Sequence, residues 1–106
     1  MTKKQLKKTK DFFERNDLKA LKNYLRRIRK QEGFNVNTQD YFGHTMLFYA
    51  ALEDNIEMYN YLLSIGVDEN ITNQIGVKAE YWFKVEGDDE SIEEILSRIR
   101  KRYGNF

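Results

Sequence analysis

The sequence repeats itself at a spacing of thirty-three residues, and this period restricts the fold more than any other feature. The residues that recur at this spacing include Gly33 and Gly66, Asn37 and Asn70, and Gly43 and Gly76. A period of this length is typical of solenoids, in which each unit is too small to bury its own apolar face and neighbouring units stack around a shared core. We therefore expect a row of small stacked units.

Hydrophobic periodicity predicts that each unit is a pair of helices. From Leu18 to Ile28, for example, the apolar residues follow the i, i+3, i+4, i+7 spacing of one helix face. Asn16 or Asp17 is suited to cap this helix. The predicted helices cover residues 3–15, 18–30, 45–52, 56–65, 79–85 and 91–102. They group into one domain, 1–106, of three units over about 3–36, 37–69 and 70–102.

The middle unit resembles an ankyrin repeat. The residues that match the family pattern are Asp40, Gly43, Thr45, Leu47, Ala50, Ala51, Leu62, Leu63, Gly66, Asp68 and Asn70. Met46 and Phe48 replace the family's proline and histidine, so we expect apolar packing there instead of the usual Thr/His hydrogen bond. The outer copies are degenerate, with Lys8-Thr9 and Lys78-Ala79 in place of Thr-Pro, as befits capping repeats. The resemblance implies an all-α fold, a short ankyrin-like solenoid of three helix-turn-helix pairs.

Composition argues against an enzyme. The 106 residues include no cysteine and a single histidine, which excludes disulfides, thiolate metal sites and cysteine nucleophiles. His44 lies in a turn, where we expect it to face solvent rather than to activate a serine. Neither a phosphate-binding loop nor a calcium-loop pattern is present, so we predict no catalysis, no cofactor and no metal. The absence of a long apolar run predicts a soluble, cytoplasmic protein without a membrane span.

The formal net charge of +1 conceals a strong separation of charge along the chain. Residues 1–30 carry a net +9, residues 31–97 carry −12, and residues 98–106 carry +4. Opposite potentials on two parts of a small domain affect which partners approach it and how fast. A basic end could contact phosphates, although the acidic middle would repel the same nucleic acid backbone.

The ankyrin resemblance implies protein binding through loop tips and the ends of the inner helices. The positions that it assigns to the contact surface are Tyr41, Phe42, His44, Leu52, Glu53, Gln74, Ile75, Val77, Val85, Glu86 and Asp88. Adjacent aromatic residues at a loop tip are typical anchors of a binding surface, unless Tyr41 or Phe42 folds back over the stack. Carboxylates near these positions, Asp40 among them, predict an acidic rim that would suit a basic partner.

These patterns favour a protein-binding module that is a monomer or a heterodimer with its partner. The specific hypothesis is an inhibitor or immunity protein that masks the basic active site of a toxin such as a nuclease. An ankyrin scaffold, or an effector that recruits a host protein, would have the same fold. Nucleic-acid binding through the basic N-terminal helices is the alternative from a different class.

Overall fold

The computed structural model describes residues 1–83, which form helices and no strand. The elements are α1 (Lys3–Glu14), α2 (Leu18–Ile28), α3 (Met46–Leu52), α4 (Ile56–Ser64) and a 3-10 turn (Ala79–Trp82). The predicted all-α class is confirmed. The helix expected over 91–102 lies outside the described residues. No helix within residues 1–83 has the length and apolar character needed to cross a bilayer.

Each of the four α-helices begins at a side chain that accepts a hydrogen bond from the first turn. Thr2 and Gln5 form a reciprocal capping box on α1, and Thr45 caps α3. Asp17 accepts from the backbone N–H of Ala20 at 3.0 Å, which confirms its predicted role at the start of α2. Asn55 caps α4 in the same way. These caps satisfy backbone donors that have no partner inside the helix.

Within each helix pair, α1–α2 and α3–α4, the two helices are joined by a turn of the same kind. Asn16 and Asp54 each adopt a left-handed conformation, with φ of 54° and 53°, just before the capping residue. The Asn55 side-chain amide donates to the Asn16 side-chain oxygen, so one turn lies directly against the other. The two helix pairs therefore lie side by side and share the backbone conformation of this turn.

The core is centred on α3, which contacts α1, α4 and the 3-10 turn. Every residue from Met46 to Ala51 is buried, and Ala50 and Ala51 are completely so. Small side chains at these positions let neighbouring elements approach closely. Met46 and Phe48 are buried as well, so the apolar packing expected at these two positions is confirmed.

One detail of the outer units agrees with the sequence-based expectation and another differs from it. Lys8 and Thr9 lie inside α1, in agreement with the predicted helix over 3–15, and the buried Thr9 hydroxyl donates to the Leu6 carbonyl at 2.6 Å. The helix expected over 79–85 is a single 3-10 turn in its described part. Lys78, which precedes that turn, makes no side-chain capping bond, whereas Thr45 caps α3. The missing cap removes one reason for a regular helix to start there.

Candidate functional site

The predicted contact surface starts at a tight turn that Asp40 organises. One carboxylate oxygen of Asp40 accepts hydrogen bonds from the backbone N–H groups of Phe42, at 2.8 Å, and His44, at 3.0 Å. The backbone of Asp40 also bonds to His44 and Gly43, and Gly43 has a φ of 81°. An aspartate that binds its own turn in this way holds the loop in one conformation.

The same turn recurs thirty-three residues later, around Asn73. Its side-chain oxygen accepts from the N–H groups of Ile75, at 3.1 Å, and Val77, at 3.0 Å. Its backbone bonds to Val77 and Gly76, and Gly76 has a φ of 80°. The period of the sequence thus corresponds to a repeated structural turn within the described residues.

Hydrogen bonds hold the two turns side by side. The backbone N–H of Gln74 donates to the Phe42 carbonyl at 3.0 Å, and the Gln74 side-chain amide donates to the Tyr41 carbonyl. On the other side, the Gln39 amide donates to the Gly43 and Thr72 carbonyls. The turns therefore form one rigid surface from which adjacent side chains project.

Three large apolar residues are exposed on this surface. Tyr41 is 78% exposed, Phe42 67% and Ile75 47%, and we call these three residues the aromatic tip. Both aromatic residues are too exposed to be folded back over the stack. Phe42 and Ile75 border a shallow depression of about 180 Å³ that His44 and Trp82 also line. Exposed apolar residues in a contiguous patch mark a contact surface.

His44 lies behind the aromatic tip and supports it. The expectation that this side chain faces solvent is wrong. Its ring stacks on Phe48 with the centroids 4.8 Å apart, and Trp82 meets it edge-on at 5.9 Å. Burial lowers the pKa of His44; the Asp40 charge opposes this shift and the Lys10 charge adds to it. A half-buried, neutral imidazole is a structural element of the turn.

The other predicted contact residues differ in their exposure to solvent, and three of them lie outside the described residues. Val77 is only 1% exposed, so its assignment to the surface is corrected: its apolar side chain is removed from water in a small cluster with Tyr81 and Trp82. Leu52, Glu53 and Gln74 are exposed. Val85, Glu86 and Asp88 lie outside the described residues.

Within residues 1–83, the carboxylates expected in the acidic rim do not surround the aromatic tip. Asp40 is engaged within the fold, because its second oxygen accepts from the Tyr49 hydroxyl at 2.7 Å. Burial alone would raise the pKa of Asp40, but the Tyr49 hydroxyl and the turn N–H groups outweigh it and hold the pKa below its usual value. Glu53 follows α3 whereas Tyr41 and Phe42 precede it, so the length of that helix, about 10 Å, separates them.

Lysines rather than carboxylates border the aromatic tip. Lys3, Lys7 and Lys10 of α1 line a cleft of about 280 Å³ together with Asp40, Tyr41, Phe42 and Tyr49, and we call it the lysine cleft. The Lys3 ammonium group lies 5.1 Å from the centroid of the Tyr41 ring and donates to the Gln39 carbonyl at 2.6 Å. The i, i+4, i+7 spacing of the three lysines is the sequence signal for this face.

Within residues 1–83, no group of three or more histidines or carboxylates is placed to hold a metal ion. What the described surface offers is apolar and aromatic contact area, fixed by the two turns, beside a row of ammonium groups. Burial of apolar area and charge complementarity are the terms that such a surface can contribute to an interface.

No family model and no curated protein matches the sequence. Among solved structures, the chain is similar to one in a structure described as the predatory endopeptidase Bd0816 from Bdellovibrio bacteriovorus in complex with the immunity protein Bd3460. The TM-score is 0.59 and the identity 23%, over 91% of this chain and 46% of that one. The likeness is one of fold. The present chain spans about half the length of the chain that it matches.

Proposed function

We propose that this chain is a non-enzymatic, ankyrin-like module that binds another protein through the aromatic tip. The observation that carries the proposal is the exposure of Tyr41, Phe42 and Ile75 on two hydrogen-bonded turns. Aromatic side chains on a rigid support lose little conformational entropy when they are buried by a partner. They are accordingly enriched among the residues that contribute most to binding.

We further propose that binding inhibits the partner, as in a toxin–immunity pair. The similar solved structure supports this reading because it is described as an endopeptidase with an immunity protein. The fold of the described residues is also well suited to blocking a cleft, since the aromatic tip projects from a surface that two interlocked turns keep rigid. The lysines at the tip give no reason to prefer a basic active site as the target.

The test is capture of the partner with the immobilised chain, followed by measurement of its affinity and activity. Phe42→Ser removes an aromatic side chain from the tip, and Ile56→Ser is the matched control because Ile56 is 59% exposed at the opposite end of α3. We expect Phe42→Ser to weaken binding about thirtyfold or more, the effect of removing a hot-spot residue. Ile56→Ser should leave the affinity nearly unchanged.

The outcomes separate the possible functions. Equal affinities of the two variants would show that the aromatic tip is not the contact surface. A partner that binds through the tip but keeps its full activity at saturating concentrations of this chain would be held by a scaffold and not by an inhibitor.

Nucleic-acid binding is a second candidate because one basic groove lies away from the tip. Lys22 and Arg26 of α2 and Arg29, which follows it, line this groove with Tyr61 and Ile65. The Lys22 ammonium group lies 5.0 Å from the Tyr61 ring centroid. Binding to phosphates would weaken steeply as salt is raised. A gel-shift assay at low salt tests this candidate, and no shift there would remove it.

A further inference from the structure

We propose that the lysine cleft binds an acidic segment of the same partner protein, next to the apolar contact made by the aromatic tip. This inference deepens the proposed function and rests on it. It follows from a juxtaposition that the fold creates, since α1 brings three lysines to one wall and the turn after Gln39 brings two aromatic rings to the other. The α1 wall supplies the charge and the wall formed by the turn supplies the apolar area, so the cleft needs both walls.

Two of the three ammonium groups are free to meet a ligand. Lys3 is already engaged, since it donates to the Gln39 carbonyl and covers one face of the Tyr41 ring. Lys7 and Lys10 are exposed, and no hydrogen bond or ion pair within residues 1–83 involves their ammonium groups. A carboxylate that enters the cleft would therefore find two donors without having to break an existing contact.

The single carboxylate of Asp40 offsets only part of the positive charge of the lysine cleft. Two backbone N–H groups and the Tyr49 hydroxyl already donate to its oxygens. These donors are uncharged and hold Asp40 ionised, so the lining of the cleft sets one negative charge against the positive charges of three lysines. The cleft consequently keeps an excess of positive charge and favours an anionic ligand.

The surroundings favour a short acidic peptide segment over a nucleic acid. Glu14 follows Lys3, Lys7 and Lys10 on the same face of α1, so the positive surface is only about 10 Å long. A nucleic acid strand extended beyond it would carry its next phosphates toward Glu14. Lys3 also covers a face of the Tyr41 ring that a base would need for stacking.

The depression beside Phe42 and Ile75 completes the recognition of a peptide. It is shallow and lined mainly by apolar atoms, which suits a leucine or phenylalanine side chain rather than a charged group. The segment that fits both features carries carboxylates at one end and a large apolar residue at the other.

The experiment measures binding of a fluorescent peptide, several aspartates and glutamates followed by Leu-Phe, by anisotropy at low ionic strength. The matched probes are a peptide with lysines in place of the acidic residues and a single-stranded oligonucleotide of equal negative charge. The test variant is Lys7→Glu/Lys10→Glu. The control is Lys4→Glu/Lys19→Glu, which changes the net charge equally at exposed lysines outside the cleft.

We expect the acidic peptide to bind and the test variant to weaken it at least about tenfold, with the control variant weakening it far less. Failure of the acidic peptide to bind at millimolar concentration would overturn the proposal, as would equal effects of the two variants or tighter binding of the oligonucleotide. If Lys7→Glu/Lys10→Glu binds the captured partner normally while Phe42→Ser does not, the lysine cleft is excluded and the proposed function stands. If neither Lys7→Glu/Lys10→Glu nor Phe42→Ser weakens binding of the captured partner, both the lysine cleft and the aromatic tip are excluded as contact surfaces.

Discussion

The side-chain nitrogen of Asn73 lies 3.3 Å from Nε2 of His44, and this contact joins the two stacked turns of the candidate site. The oxygen of the same Asn73 amide accepts from Ile75 and Val77, which fixes the orientation of the amide. Its N–H group therefore points at the imidazole, and Nε2 must act as an acceptor. A protonated His44 would present a donor to a donor.

This arrangement predicts that stability falls when His44 gains a proton. Burial lowers the pKa of His44 in the folded state, so the unfolded state binds the proton more tightly. The free energy of unfolding should thus be constant well above pH 6.5 and fall as the pH drops below that value, until His44 is also protonated in the folded state. Thermal unfolding measured from pH 8 to pH 5 in the wild type checks this prediction.

The control for the pH dependence is His44→Phe, whose ring can still stack on Phe48 but takes up no proton. This variant should lose the contact with Asn73 and show a flatter dependence of Tm on pH in the same range. Parallel curves for the two proteins would assign the pH dependence to other groups.

Asp40 and Tyr49 give a second prediction. The Tyr49 hydroxyl donates to Asp40 in a partly buried position, and its removal in Tyr49→Phe should lower the free energy of unfolding by about 1 kcal/mol. The variant should also raise the pKa of Asp40, because that hydroxyl is the chief group that lowers it. Urea denaturation at pH 7 and carboxyl titration by NMR measure the two effects. Tyr41→Phe, which alters an exposed ring, should change neither.

The lowered pKa of Asp40 determines how the contribution of this carboxylate to stability changes with pH. Stability from this carboxylate is fully present above the unfolded pKa, about 4, and is lost as the pH falls through the lower folded value. As the pH falls through that acidic range, the free energy of unfolding of Tyr49→Phe should therefore decrease less than that of the wild type. An unchanged acid limb in the variant would mean that the hydroxyl does not stabilise the charge.

Ala50 gives a third prediction, since it is fully buried where α3 meets its neighbours. Ala50→Leu adds three carbon atoms to a filled space and should lower the free energy of unfolding by about 1 to 3 kcal/mol. Asn60→Leu introduces the same residue at an exposed position of α4 and should have an effect within about 0.5 kcal/mol. Urea denaturation of both variants makes the comparison, and equal losses would contradict close packing around Ala50.

The local elements of this fold could be predicted because local rules decide them. The apolar spacing from Leu18 to Ile28 and the capping side chain of Asp17 are both properties of adjacent residues. Gly43 and Gly76 recur at the same place in the two turns. Both adopt a positive φ, a conformation that glycine reaches without steric cost.

The composition of the candidate site could be predicted only in part, because it depends on which elements lie side by side. Periodicity shows that Lys7 and Lys10 are on the polar face of α1 but not that this face meets the loop of Tyr41. By contrast, the predicted helix over 45–52 was enough to place Glu53 at the other end of α3 from Tyr41 and Phe42. Val77 was placed on the surface by its register in the repeat, although its contacts place it in the core.

Gly43 and Gly76 give the last prediction, because they share a backbone conformation and differ in their neighbours. Both have φ near 80°, where an alanine costs about 1 to 2 kcal/mol. A Cβ on Gly76 would meet no atom within 4 Å, whereas a Cβ on Gly43 would lie 2.9 Å from both the Asn73 Cα and the Gln74 nitrogen. These are backbone atoms of the stacked turn, so they can give way only if the turns separate.

Gly43→Ala should therefore destabilise the fold by about 3 kcal/mol or more, and Gly76→Ala by the conformational cost alone. Urea denaturation of the two variants at neutral pH measures the difference. Gly43→Ala should also weaken partner binding in its folded fraction, because separation of the turns would break the bond from Gln74 to the Phe42 carbonyl and move the aromatic tip. Identical losses of stability in the two variants would show that the turns are not in the close contact described here.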